Sequence, residues 1–377
     1  LALVMSLSLV ACGGGDDTAA DGGADAEDGG NAETAAYQVA MITDYGDITD
    51  QSFNQTTYEA CQEFCDAEGL QFEYYKPAGD STAERVAMVD AAVADGYNVI
   101  VMPGYAFAET IKETAELYPD VTFIALDVAQ GDLGEDYTVP SNVYCAVYQE
   151  ELCGYMAGYA AVKMGYTHLG FLGGMAVPAV VRYGYGFVQG ADAAAADLGT
   201  TATVEYVYGN AFAGDADITA YMDNWYQTLG VEVVFACGGG IYTSAAEAAA
   251  KVGGKVIGVD VDQAGIIDGG YGDGMTVTSA MKGLAPTVEH ILTEIAAGNF
   301  ANYGGKIETL GLVSGDDPTA NYVQLPMEST QWCDTFTQDN YKELVKSMFD
   351  GTITVSNDTT AMPATTAVTV NEYGNIK

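Results

Sequence analysis

A chain of 377 residues with 49% hydrophobic content can bury large cores, and its length suits two domains better than one. Its 53 acidic residues against 12 lysines and arginines give a formal charge of −41, a field that repels polyphosphate and leaves no basic patch, which excludes nucleic acid as a partner.

The opening stretch LALVMSLSLVACGGG is apolar for about a dozen residues, too short for a membrane span and suited to the core of an export signal. Residues 1–11 are therefore read as a signal peptide, clipped at its start because no Met or basic segment precedes Leu1. Leu9-Val10-Ala11-Cys12 resembles a bacterial lipobox, which implies a diacylated Cys12 and a protein exported and lipid-anchored to the outer face of the bacterial cell membrane. Residues 13–36 carry seven acids, no basic residue and almost nothing apolar, so with Cys12 they read as an acidic tether. As a flexible coil it would span roughly 25–30 Å.

From residue 37 short β-rich runs alternate with helical segments. YQVAMIT precedes a helix over 52–68, FEYYK one over 81–95, and NVIVMPG one over 106–118, before VTFIALD. The rhythm resumes with NVYCAVY and a helix over 149–164, HLGFLGG and 179–197, TATVEYVYG and 216–229, VEVVFAC and 242–252, then KVIGVD. Strands apolar on both faces predict parallel sheets covered by helices. About eight such units, divided near the Gly/Asp/Pro-rich stretch 129–141, predict an α/β protein of two doubly wound lobes with a ligand cleft between them. The expected lobes are 37–145 with about 278–312, and 146–277 with about 313–377. TVTSAM with a helix over 284–297 is expected to cross back to the first lobe, and a helix over 338–350 to return to the second.

Ligands of open parallel sheets bind at the carboxyl ends of strands. Asp44, Asp127 and Asp260 close strands, Phe212 follows TATVEYVYGN and Lys282 follows TVTSAM, so these residues are candidates to line the cleft. Ser52-Phe53-Asn54-Gln55 fits a capping box, which would put Phe53 and Asn54 in the first helical turn beside free amide donors. Asp47 and Asp50 read as solvated turn and cap residues. The spacing of Asp44, Asp47 and Asp50 does not suit calcium, and no metal or cofactor is expected. Strand-end carboxylates call for a neutral ligand rich in O–H and N–H donors. Phe53 and Phe212, one from each lobe, could sandwich a flat ring, with Asp127 accepting from the ring and Asp260 and Lys282 meeting a sugar. One lysine near the cleft would serve a phosphate poorly, so a nucleoside is expected rather than a nucleotide.

Together, ITDYGDITDQSFNQ (42–55), GFLGGM (170–175), RYGYGFVQG (182–190), GNAFAGD (209–215), VIGVDVDQ (256–263) and TSAMKG (278–283) resemble, in order, the basic membrane protein family of lipoproteins. These are the nucleoside-binding components of ABC importers, and the similarity is greatest to the purine-nucleoside receptors. The resemblance covers roughly 37–330 and implies a type I periplasmic-binding-protein-like fold, a membrane permease as partner and no enzymatic activity. It implies that Phe53 and Phe212 stack on the base, Asp127 contacts it, and Asp44 and Asn54 bind ligand. It also implies that Asp260 and Lys282 hold the ribose beside the Gly238-Gly239-Gly240 turn. The sequence departs from the family's usual pattern at Thr49-Asp50-Gln51 and at Ala176.

Other readings keep the receptor and change the ligand to a flavin, a thiamine-like vitamin or a sugar. A dinucleotide-dependent oxidoreductase is suggested by CGGGIYTSAAEAAAK, but G-x-G-x-x-G is absent. G-x-S-x-G, H-E-x-x-H and a Cys-His arrangement are also missing, and His168 and His290 read as packing residues. A surface adhesin would leave the strand-end carboxylates without a ligand. Setting Cys12 aside, six cysteines remain, and buried free thiols are the favoured reading.

Overall fold

The computed structural model describes residues 37–44 and 46–376. The export signal, Cys12 and the tether lie outside the described residues. The first five strands, β1 (Val39–Ile42), β2 (Phe72–Tyr75), β3 (Val99–Pro103), β4 (Thr122–Leu126) and β5 (Val143–Tyr148), form one parallel sheet in the order β2-β1-β3-β4-β5. Helices α1 (Phe53–Glu68), α2 (Thr82–Ala94), α3 (Phe107–Thr114) and the single turn α4 (Gln130–Leu133) connect them. The next five strands, β6 (His168–Gly173), β7 (Ala202–Tyr208), β8 (Val233–Cys237), β9 (Lys255–Asp260) and β10 (Thr276–Lys282), repeat that order as β7-β6-β8-β9-β10. Their helices are α5 (Glu150–Lys163), α6 (Pro178–Leu198), α7 (Ala216–Asn224), α8 (Tyr242–Ala250) and α9 (Ala264–Tyr271). Central strands such as β1, β3 and β8 are buried at every residue, which is why their sequences are apolar on both faces.

The rest of the chain completes both sheets. Helix α10 (Leu284–Ala296) packs on α1, and β11 (Lys306–Leu310) extends the first sheet beside β5. Strand β12 (Val323–Gln324) pairs antiparallel with β10, helix α11 (Gln338–Phe349) joins the second lobe's core, and β13 (Val368–Asn375) covers the outer edge of β7. Asn371 Nδ2 and Tyr373 OH donate to Glu205 of β7, at 3.1 and 2.7 Å, and hold the last strand in place. His168 Nε2 lies 2.9 Å from the same carboxylate, a packing role.

The chain passes between the lobes three times. The crossing segments are stitched together: Gln149 N donates to Leu310 O at 2.9 Å, Gly283 N to Tyr322 O at 2.7 Å and Tyr322 N to Gly311 O at 3.0 Å. Two expected boundaries move. Strand β5 runs on to Tyr148, past residue 145, and TVTSAM stays in the second sheet, where Ser279 faces Gly258 of β9. The unit β9-α9-β10 is a short crossover between neighbouring parallel strands, the least demanding route for that chain length, so the return to the first lobe begins only at Gly283. Among the described residues no helix is long and apolar enough to cross a membrane. The six described cysteines are free thiols, all buried except the half-buried Cys333.

Helices α5 and α6 pack backbone against backbone. A Cβ on Gly154 or Gly158 would overlap the carbonyl oxygens of Tyr183 and Phe187, and one on Gly186 or Gly190 those of Glu151 and Tyr155. Two small-x-x-x-small stretches thus face each other, and this close approach sets the position of the first turn of α5 against α6. Gly190→Ala is expected to destabilise the protein by about 1–3 kcal/mol, overpacking outweighing the gain in helix propensity. Urea unfolding midpoints check this, and an unchanged or raised midpoint would contradict it.

Candidate functional site

The carboxyl ends of both sheets converge on a cavity of about 640 Å³. This lies within the range of roughly 300–1,000 Å³ that encloses small organic ligands. All nine residues singled out from the sequence line it: Asp44, Phe53, Asn54, Asp127, Phe212, Gly238, Gly239, Asp260 and Lys282. Asp47, Asp50, Asp80, Tyr105 and Tyr183 also reach it. Six aspartates and one lysine give a strongly acidic lining, hostile to a phosphate group.

The start of α1 differs from the expected capping box. Asp50 is the cap: Oδ1 accepts from Ser52 N at 2.9 Å and Gln55 N at 3.1 Å, and Oδ2 accepts from Asn54 N at 3.0 Å. An ionised acceptor at the positive end of a helix outcompetes a neutral hydroxyl for these amides, so they are satisfied and not free for a ligand. Burial pushes the Asp50 carboxyl up, against the pull of those amides. The Gln55 side chain reaches back to Gln51 N, at 3.1 Å, instead of Ser52. Ser52, released from capping and fully buried, donates from Oγ to Asp260 Oδ2 at 2.6 Å across the two lobes. Gln263 Nε2 makes a second bridge to Gln51 O at 3.0 Å. Asp47 remains a turn residue paired with Lys76 at 2.9 Å.

On the first-lobe side, Asp44 is buried and accepts from Gly46 N at 3.0 Å. Its carboxylate lies so close to Gly104 (φ +129°) that a side chain there would overlap it. Asn54 donates from Nδ2 to Asp50 Oδ2 at 3.2 Å. A carboxylate accepts only from the amide nitrogen, which fixes the orientation of the amide and leaves Oδ1 as the other atom. Asn54 Oδ1 and Asp127 Oδ1 are buried acceptors with no partner among the described residues. Asp127 follows β4 with φ +61°, and Asp260 ends β9 with φ +65°. The two occupy corresponding places in the two sheets, each after the fourth strand in chain order, and each is held in the left-handed region that a non-glycine residue adopts at a cost of order 1–3 kcal/mol.

On the second-lobe side, Phe212 packs its ring against Gly174 and Gly238, where a Cβ on Gly238 would come within 3.1 Å of it. Gly239, with φ +52°, turns the chain so that Gly240 N can donate to Phe212 O at 2.8 Å. The glycine turn therefore shapes the Phe212 loop. Asp260 is 4% exposed, and its carboxyl is pushed up by burial, in opposition to Lys282 and the Ser52 hydroxyl.

Lys282 Nζ donates to Asp127 Oδ2 at 2.7 Å and to Glu150 Oε1 at 3.2 Å. It also sits 4.9 Å from the Phe53 ring centroid, 5.2 Å from Tyr148 and 5.7 Å from Tyr183. Arg182 Nε donates to the second oxygen of Glu150 at 2.6 Å. Burial opposes the charge on Lys282, but Asp127, Glu150 and Asp260 hold it firmly protonated. Burial lifts Asp127 to about 6 despite Lys282, whereas Arg182 and then Lys282 overcome the burial of Glu150 and hold its carboxyl below the usual range. Glu150 and Arg182 were not singled out from the sequence. The available signal was a lone arginine inside the apolar run PAVVRYGYGFV, a charge that needs a buried partner. Among the described residues no cluster of three or more His, Cys, Asp or Glu is arranged to hold a metal ion.

The chain is 27% identical over 295 residues to the ABC transporter nucleoside-binding protein BmpA of Lactococcus lactis, covering 74% of this chain and 80% of that protein. It is 30% identical over 289 residues to the CD4+ T-cell-stimulating antigen of Listeria monocytogenes, covering 72% and 77%. An ABC transporter solute-binding protein from Aeropyrum pernix matches the fold with a TM-score of 0.65 at 21% identity, covering 86% of this chain and 88% of that one. The model of one family, described as ABC transporter substrate-binding protein PnrA-like, matches residues 37–331, and the chain belongs to that family.

Proposed function

We propose that this protein is a binding protein, not an enzyme, that captures a purine nucleoside in the cleft between its lobes and delivers it to a membrane permease. In this reading it is exported and held at the outer face of the membrane by a lipid on Cys12. The observation that carries the ligand assignment is the pair of unfilled buried acceptors, Asn54 Oδ1 and Asp127 Oδ1, on a cavity that Phe53 and Phe212 also line. Each such acceptor costs on the order of 1–3 kcal/mol while it stays unpaired, so a ring bearing N–H donors relieves a standing penalty on entry. Stacking against Phe53 and Phe212 adds about 1–3 kcal/mol per base, and in this reading a ribose hydroxyl joins Ser52 and Tyr183 in donating to Asp260. The acidic lining supports a nucleoside over its phosphates.

The test is calorimetric titration of unfolded, washed and refolded protein with adenosine, guanosine, inosine, cytidine, uridine, riboflavin and ribose. One-to-one binding confined to purine nucleosides is expected, and binding of riboflavin or ribose alone would replace the ligand. Phe212→Ala should weaken the bound nucleoside by roughly 5- to 150-fold with the fold intact, the equivalent of that stacking energy, and unchanged affinity would remove Phe212 from the site. Asp260→Ala should cost nucleosides more than free bases, and an equal loss for both would contradict the sugar assignment.

The pH dependence has a definite sign. Burial pushes the Asp127 carboxyl up to about 6, above its usual range, against the pull of Lys282. The acceptor that the ring needs is present above that value and lost below it. Affinity should therefore fall as pH is lowered from about 8 to about 5. A flat profile would rule out an ionised Asp127 as the base acceptor.

A further inference from the structure

Glu150 has no exposed surface and is not part of the cavity lining, and Arg182 sits beside it on α6, also outside the lining. Yet the two are joined in series to the cavity. Arg182 Nε holds Glu150 Oε2 at 2.6 Å, Glu150 Oε1 takes Lys282 Nζ at 3.2 Å, and Lys282 Nζ holds Asp127 Oδ2 at 2.7 Å. The series begins in the second lobe, uses the first residue of α5 and the last of β10, each next to a crossing segment, and ends at Asp127 in the first lobe. With Asp127 Oδ2 committed, Oδ1 is the oxygen left over, and it has no partner among the described residues.

We propose that Arg182 and Glu150 are positioning residues of the ligand site, acting through Lys282 to keep Asp127 Oδ1 available to the cavity as an acceptor. Only the identity of the donor it meets rests on the nucleoside reading. Phe53, Tyr148 and Tyr183 surround the ammonium of Lys282, so it has little room to move elsewhere. Without Glu150 it loses one of its two carboxylate partners, and the remaining partner, Asp127, can be drawn to it through both oxygens, withdrawing the acceptor. Without Arg182, Glu150 keeps a buried oxygen unpaired and pulls Lys282 away from Asp127.

The two changes also leave opposite charges behind. The charged and titratable groups around Asp127 are Lys282 on β10, Glu150 on α5 and Arg182 on α6, with Tyr148 on β5. Glu151 and Asp132 face Arg182 from α5 and α4. Lys282 and Arg182 favour the ionised form of Asp127, and Glu150 opposes it. A loss of packing alone would give the two variants no reason to move Asp127 in opposite directions.

The experiment follows the Asp127 carboxyl by NMR in the full chain with isotope-labelled aspartate, its signal assigned by its loss in Asp127→Asn. The variants are Glu150→Gln, Arg182→Gln, Arg182→Lys and the double Glu150→Gln/Arg182→Gln. Relative to the parent, the Asp127 midpoint should fall in Glu150→Gln and rise in Arg182→Gln, each by on the order of one pH unit. It should lie near the parent value in Arg182→Lys and in the double variant. Guanosine and inosine affinity should drop by roughly tenfold or more in both single glutamine variants and recover in Arg182→Lys. Midpoints that stay fixed or move together, or an Arg182→Lys variant as impaired as Arg182→Gln, would overturn the proposal. If Glu150→Gln does not fold, the Arg182 pair decides by the direction of its shift and by rescue. If the parent protein binds no nucleoside, the ligand reading fails while the titration still decides whether Arg182 and Glu150 act on Asp127.

Discussion

Two carboxylates and two cations, with formal charges that sum to zero, cluster where the lobes meet, Glu150 and Lys282 buried and Asp127 and Arg182 largely covered. Asp127, Lys282, Glu150 and Arg182 each face an opposite charge, and no charge in the series would be tolerable there alone. Removing one member of a buried pair typically costs about 3–5 kcal/mol because its partner is stranded. The arrangement therefore constrains the rest of the molecule. Helix α5 has to begin where Glu150 meets Arg182, α6 has to lie close enough to present it, and β10 has to end at Lys282. The glycine seam between α5 and α6 supplies that proximity.

The two sheets use the same strand order, and this places equivalent strand ends opposite one another. Asp127 and Asp260 are such a pair, both with left-handed backbones, but their surroundings differ. Asp127 is held by a lysine and keeps one oxygen unfilled, whereas Asp260 takes a hydroxyl from the other lobe through Ser52. A two-fold framework thus presents two unlike acceptors, which suits a ligand with chemically distinct ends. The bridges Ser52 to Asp260 and Gln263 to Gln51 draw the lobes together beside the cavity without occupying it. A ligand that prefers the closed arrangement needs only to add to contacts the protein already makes.

Much of this geometry was legible in the sequence because parallel α/β sheets obey a simple rule. Apolar runs announced the strands, and each strand's carboxyl end named Asp44, Asp127, Asp260 and Lys282, all of which line one cavity. The rule fails where choices are made in three dimensions. Whether TVTSAM belongs to one sheet or the other changes nothing in its local pattern, since both sites bury both faces. At the start of α1 Asp50 and Ser52 both satisfy the local capping preference; Asp50 takes the amides, and the buried partner Asp260 draws the Ser52 hydroxyl away from the expected capping box. The last strand, VTVNEYGN, alternates weakly, as an outer strand can, and depends on Glu205 far back in the chain. The partnership of residues 150, 182 and 282 has no periodic signature at all; the odd arginine in an apolar helix was its one trace.

A crystal structure of the washed and refolded protein with guanosine would show where the ligand sits. The purine ring is expected between Phe53 and Phe212, with a ring N–H within hydrogen-bonding distance of Asp127 Oδ1 and the ribose at Asp260. A nucleoside bound outside the cavity, or a ring touching neither phenylalanine, would contradict that placement.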